Sequence, residues 1–136
     1  MDEEPDVVTG NKRIVICRDV EWIRSLKRSK NVENKYCKWR TIDANVNDFL
    51  TKVSNKLKSE KYYIKKNNFP YDIPDEHYIM WLQNEWYYND DFIISELEKK
   101  FPRGNIKVFM NPSGKQSMPK IPHMHILLNK KMCTIQ

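Results

Sequence analysis

The stretch IPHMHILL places two histidines, His123 and His125, one residue apart near the end of the chain. An imidazole can donate or accept a proton near neutral pH. The pair could therefore act as general acid and base on a phosphoester, hydrogen-bond the phosphate or base of a ligand, or help to hold a metal. A metal centre needs further converging ligands, which a lone His-x-His does not supply, so no metal and no cofactor is expected. In a strand, His123, His125 and Leu127 share one face, and Met124, Ile126 and Leu128 share the other. If the apolar set faces the core, both imidazoles look out to solvent, about 7 Å apart. The same alternation groups His77 with Ile79 and Trp81, and His77 joins the pair if its strand lies beside the last one in register.

Other residues have types suited to the same ligand. In NPSGKQSMPK, Lys115, Gln116, Ser117 and Lys120 surround a glycine turn that could offer N–H groups and ammonium groups to a phosphate. The turn lacks the spacing of a P-loop. Trp81, Trp86 and Tyr71 could stack on a base, and Glu85 could pair with the donor edge of a guanine, which is the logic of an mRNA-cap binder. Trp39, at a helical i+7 position, is assigned to the core. No carboxylate adjoins the His pair in sequence, so a catalytic partner would have to come from afar, with Asp72 and Asp75 as candidates.

These side chains need a frame. Asp19 can cap a helix over 19–29, and Val32, Tyr36 and Trp39 fall on one face of a second. Val46, Phe49, Leu50, Val53 and Leu57 give a third helix its apolar stripe, with Asn45 ahead as cap. Pro70 and Pro74 force an extended turn, because each displaces its predecessor from the helical region. Strands are expected near 77–83, 105–111 and 121–128. A fourth helix starts at Asp90 or Asp91 and ends by Pro102 and Gly104. The result is an α+β fold, with a helical N-terminal half packed on a small, mostly antiparallel sheet.

Residues 1–12 read as a flexible acidic leader, and 13–136 as a single domain. Charge divides unevenly: residues 1–10 carry a net −4, residues 11–66 a net +10 and residues 67–136 a net of zero. The basic half favours a phosphate-bearing partner. The 18 lysines and 13 asparagines of the whole chain are also what AT-rich coding DNA yields, which weakens that inference. Cys17, Cys37 and Cys133 are odd in number and widely spaced, as suits free thiols in a reducing compartment. No apolar run approaches the roughly 20 residues of a membrane helix. A cytoplasmic protein without a membrane partner is expected.

The segments LKRSKNVENKYCKWRTI, NDFL, FPYDIPDEHYIMWL, QSM and HMHILL together resemble the fungal N-acetylglucosamine-induced protein family, a domain of unknown function. The matching residues are Leu26, Arg28 and Ser29; Tyr36 and Trp39; Pro70, Tyr71, Asp72, Pro74, His77 and Trp81; Asn111, Pro112, Gln116 and Ser117; His123 and His125. The likeness covers roughly residues 20 to 130. The chain departs from the pattern by a brief region without tryptophan before Pro70 and by its acidic leader. The resemblance implies a fold and brings no activity with it.

The favoured function is a module that binds a phosphorylated nucleotide, an RNA end or a cap-like ligand. A small phosphoester-processing enzyme using His123 and His125 is the first alternative. A protein–protein adaptor, working through the leader or the Trp86 loop, is the second.

Overall fold

The structure, a computed structural model, describes residues 7–11, 13–112 and 121–130. Strands β1 (Val7–Asn11) and β2 (Ile14–Cys17) come first. Helices α1 (Val20–Ser25), α2 (Lys30–Arg40) and α3 (Asp43–Leu57) follow. Strands β3 (Tyr62–Lys66) and β4 (Glu76–Leu82), a single 3-10 turn (Glu85–Tyr87) and α4 (Asp90–Lys100) come next. β5 (Asn105–Phe109) and β6 (His123–Asn129) complete the order. The six strands form one sheet in the order β1-β2-β5-β6-β4-β3. Only the β2–β5 pairing is parallel.

This is the expected α+β class, with a larger sheet than the sequence announced. β1, β2 and β3 all fall in the half read as leader and helices. Residues 7–11, assigned to a flexible leader, pair with β2 through an antiparallel ladder with a register shift. The segment Val-Val-Thr-Gly-Asn has no alternation to betray a strand, and its main chain is held by β2. Residues 1–6 of that leader lie outside the described residues.

Both sheet faces are covered. Ile14, Ile16, Met80, Leu82, Val108, Met124 and Ile126 pack with Ile93, Ile94 and Leu97 of α4 on one side. Cys17, Phe109 and Leu127 meet Ile23 and Leu26 on the other. Beside them, Ile79 and Trp81 meet Val53 and Leu57 of α3. Alternation assigned these faces correctly. The inference that the histidine face is open was wrong: His77, His123 and His125 are only 1%, 9% and 6% exposed. The layer formed by α1, α2 and α3 lies over them.

Helix ends follow local chemistry. Asp19 and Ser29 accept from the backbone N–H groups of Trp22 and Val32, so the helix expected over 19–29 stops at Ser25 and a new one begins at Lys30. Asn45 lies inside α3, where its Nδ2 donates to the Trp39 carbonyl at 3.1 Å. Asn89 caps α4, leaving Asp90 and Asp91 in its first turn, where negative charge suits the helix dipole.

Gly104 sets the turn from α4 into β5. Its φ is +93°, and a Cβ there would stand 2.8 Å from the Asn129 carbonyl oxygen. Arg13 donates to the carbonyls of Phe101 and Gly104 and holds the same corner. Gly104→Ala should therefore cost roughly 3 kcal/mol, read as a lowered denaturant midpoint, from left-handed strain plus backbone overlap.

Candidate functional site

A cavity of about 530 Å³ lies between the histidine face of the sheet and α2. Its floor is Ile79 and Trp81 of β4, His123 and His125 of β6, and Asn111 just after β5. The register makes this floor, since Trp81 faces His123 and Ile79 faces His125 across the β4–β6 ladder. On the α2 side, Tyr36 and Trp39 sit at i and i+3 and stack at 6.3 Å. Phe69 contacts both rings, at 5.2 and 5.5 Å, and Phe49 of α3 closes the wall between Trp39 and Trp81.

The extended segment around Pro70 is tied down at three points. Arg28 Nε donates to the Phe69 carbonyl at 2.8 Å, the Asp72 N–H donates to the Lys27 carbonyl at 2.8 Å, and the Tyr71 N–H donates to His77 Nδ1 at 3.1 Å. Arg28 also lies 4.1 Å over the Tyr36 ring and bonds Glu33 at 3.1 Å. Lys27, Arg40 and Lys65 complete a cationic margin, and Glu33 is the one carboxylate among the described lining residues. Lys66 also borders the cavity, but its partner across the β3–β4 ladder is Tyr78, which puts its side chain on the α4 face of the sheet.

Hydrogen bonds fix the protons on the imidazoles. His77 accepts at Nδ1 from the Tyr71 N–H, so the single proton of a neutral ring sits on Nε2, 2.8 Å from His125 Nδ1. His125 accepts there and keeps its own proton on Nε2. The Asn111 side-chain amide lies 3.0 Å from that nitrogen and 2.9 Å from the Tyr71 hydroxyl. Amide oxygen and nitrogen exchange places by a half-turn without a change of shape, and a donor at His125 Nε2 requires the oxygen on this side. Asn111 Oδ1 then accepts from His125 and from Tyr71.

Burial, and secondarily the Arg28 charge, push the His77 pKa down to about 3, so the ring at the head of this chain is neutral. Burial raises the Tyr71 pKa and keeps its hydroxyl protonated. The His125 ring lies between Tyr71 and Phe109, stacked on both at 5.7 and 5.2 Å.

His123 is separate from that chain. Its Nδ1–H donates to the Ile121 carbonyl at 2.8 Å, which leaves Nε2 as a lone-pair acceptor. Burial lowers its pKa, against the Ile121 bond, which raises it. Two more polar atoms on lining residues, the Tyr36 hydroxyl and the Trp81 indole N–H, are buried without a hydrogen-bond partner.

Of the residues singled out from sequence, Tyr71, Trp81, His123 and His125 line this cavity, and His77 supports them from behind. Asp72 and Glu85 are exposed and do not line it. Trp86, expected as a stacking platform, stands 86% exposed on the 3-10 turn, away from the cavity. A tryptophan in a polar turn has nothing to pack on, and the Phe, Tyr and Trp rings that line the cavity stand on α2, α3 and β4 and in the segment around Pro70. Lys115, Gln116, Ser117 and Lys120 lie outside the described residues.

Sequence reasoning missed Arg40, Phe49, Lys65 and Phe69 as site residues, and it assigned Trp39 to the core although it forms a cavity wall. Arg28, Tyr36, Trp39 and Asn111 did carry a signal, since each belongs to the motifs that resemble the fungal family. Among the described residues, no cluster of three or more His, Cys, Asp or Glu is placed to hold a metal. None of their helices is long and apolar enough to cross a membrane.

No family model matches the chain, and no curated protein matches it. It is similar to a solved protein, HTC1, whose crystal structure superposes with a TM-score of 0.56 at 22% identity, covering 79% of this chain and 78% of that one. The likeness is one of fold.

Proposed function

We propose that the cavity binds a phosphorylated nucleotide or the phosphorylated end of an RNA, and that the protein is a cytoplasmic binding module of the type that recognises cap-like ligands. One observation carries this reading: an aromatic-walled cavity of nucleotide size whose lining residues include Lys27, Arg28, Arg40 and Lys65 against one carboxylate, Glu33. Stacking by Trp39, Tyr36 and Phe69 replaces the expected use of Trp86, and Arg40 and Lys65 meet the phosphates. We also propose membership of the fungal N-acetylglucosamine-induced protein family. In its support, nine residues of the resembling motifs, Leu26, Arg28, Tyr36, Trp39, Tyr71, Trp81, Asn111, His123 and His125, line one cavity although they are scattered over about 100 positions.

The test is titration with nucleoside phosphates and short 5′- or 3′-phosphorylated RNAs, followed by tryptophan fluorescence. Binding at low salt that weakens tenfold or more, in order of magnitude, as salt is raised is the expected result for several ionic contacts. No binding at low salt would overturn the reading.

A specific observation also favours the enzymatic alternative: His123 is held with Nε2 unprotonated at the cavity, which is the form a general base requires. It predicts turnover of cyclic phosphates or dinucleoside polyphosphates that disappears in His123→Ala. Equal rates in the two proteins would exclude it.

A further inference from the structure

The cavity has two chemically different ends. Its margin is cationic, through Arg40 and Lys65. Its floor, Ile79, Trp81, Asn111, His123 and His125, holds no Lys, Arg or carboxylate, and the polar atoms there are specific in kind. The chain from His77 through His125 and Asn111 to Tyr71 is internally bonded. What remains for a ligand is the His123 Nε2 lone pair and the Trp81 indole N–H. These two side chains are cross-strand partners with ring centroids 4.7 Å apart.

A phosphate does not fit that floor. An ionised phosphate presents only acceptor oxygens, which would meet the neutral His123 lone pair as one acceptor meets another. Burial holds the His123 pKa below its ordinary value and so keeps the ring uncharged. The floor instead asks for a donor and an acceptor side by side, so that the ligand donates to His123 and accepts from Trp81. The hydrogen-bonding edge of a nucleobase has that character, an N–H beside a carbonyl or ring nitrogen. The flat rings of Tyr36, Trp39 and Phe69 suit the faces of the same base. An unmatched buried indole N–H costs stability in the free protein, and pairing it on binding rewards the correct edge.

We propose that this site takes its nucleotide base-first, with the base edge hydrogen-bonded to His123 and Trp81 on the floor and the phosphate held outside at the Arg40 and Lys65 margin. This rests on the nucleotide-binding reading and sharpens it. The ligand is a terminal or free nucleotide read by its base, and the histidines do not touch phosphate. Arg28, which is engaged with Tyr36, Phe69 and Glu33, positions the wall.

The experiment compares the four common nucleoside monophosphates with ribose 5-phosphate, which carries the same phosphate and sugar without a base. Calorimetric titration of the wild type should rank the nucleotides unequally and place ribose 5-phosphate at least about thirtyfold below the best of them. Trp81→Phe, which keeps the ring and removes the donor, should weaken that nucleotide about five- to twentyfold and leave the salt dependence of its binding as it was. A measurement on the unaltered protein stands beside it. The Trp81 indole N–H resonance should shift downfield on saturation with the best nucleotide and not with ribose 5-phosphate.

If ribose 5-phosphate binds as tightly as the nucleotides, or the indole resonance responds to both alike, the base-first arrangement is overturned while the nucleotide-binding reading stands. If neither class of ligand binds at low salt, both fall.

Discussion

Exchanging Arg40 and Lys65 together for glutamate will weaken nucleotide binding by roughly 100-fold at low salt, without unfolding the protein. Lys65 is the β3 lysine on the cavity face, since it pairs with Ile79 across the β3–β4 ladder. A charge several ångströms from a phosphate in a mostly aqueous setting contributes on the order of 1 kcal/mol, so the four units of charge changed by the double reversal reach that loss even after partial screening. Arg40 is exposed, where substitutions usually move stability by about 0.5 kcal/mol or less, and Lys65 is half-buried on the edge strand β3. Arg40 ends α2, and a glutamate there opposes the helix dipole, a further cost of only a few tenths of a kcal/mol. The reversal should flatten the salt dependence as well as lower the affinity. Unchanged affinity in a variant with wild-type melting behaviour would mean that the ligand's charge is not read at this margin.

The second large effect is on stability. Acidification from pH 7 to pH 4 will lower the unfolding free energy by roughly 3 kcal/mol through His77 alone. In the unfolded chain this imidazole titrates near its ordinary 6.5, and in the folded protein it is held down to about 3. Above 6.5 both states are neutral and His77 exerts no pH effect. As pH falls through the window from 6.5 to about 3 only the unfolded chain takes up the proton, so stability is lost across that window at up to about 1.4 kcal/mol per pH unit and levels off below it. The physical cause is the ring's burial under Tyr71, with one nitrogen bonded to the Tyr71 N–H and the other to His125, so a second proton has no acceptor. His123, also lowered, adds to the loss in the same direction. Denaturant unfolding at the two pH values measures the change, and the ring proton resonances of His77 assign it. A His77 ring that titrates near 6.5 in the folded protein would refute the account.

Much of the site's arrangement was legible before any coordinates. The positions of His123 and His125, alternating with Met124, Ile126 and Leu128, fixed which side chains of β6 point together, because side chains alternate along a strand whose register is unbroken, as that of β6 is. His77, Ile79 and Trp81 were grouped for the same reason, and the β4–β6 register then joined the two sets. Asp19 could be read as a cap because its oxygen satisfies an N–H only three residues away. Pro70 and Pro74 marked the extended segment that carries Tyr71 to the cavity.

What could not be read concerns contacts between distant residues. β2 and β3 are four and five residues long, and their pairings with β5 and β4 lie far along the chain. Trp86 and Trp39 were ranked by local surroundings, and the packing of α2 against Phe69 and Phe49 reversed that order.

The amino-acid sequence alone determined the class of fold, the Asp19 cap of α1 and the shared side of the imidazoles, since each depends on bonds or alternation spanning a few residues. Only the tertiary structure decided that this side is roofed by three helices, that the imidazoles are neutral and buried at a cavity floor, and that cations from α2 and β3 rim it. Those outcomes depend on which elements stack on which face, and nothing in a strand's own periodicity records what lies above it.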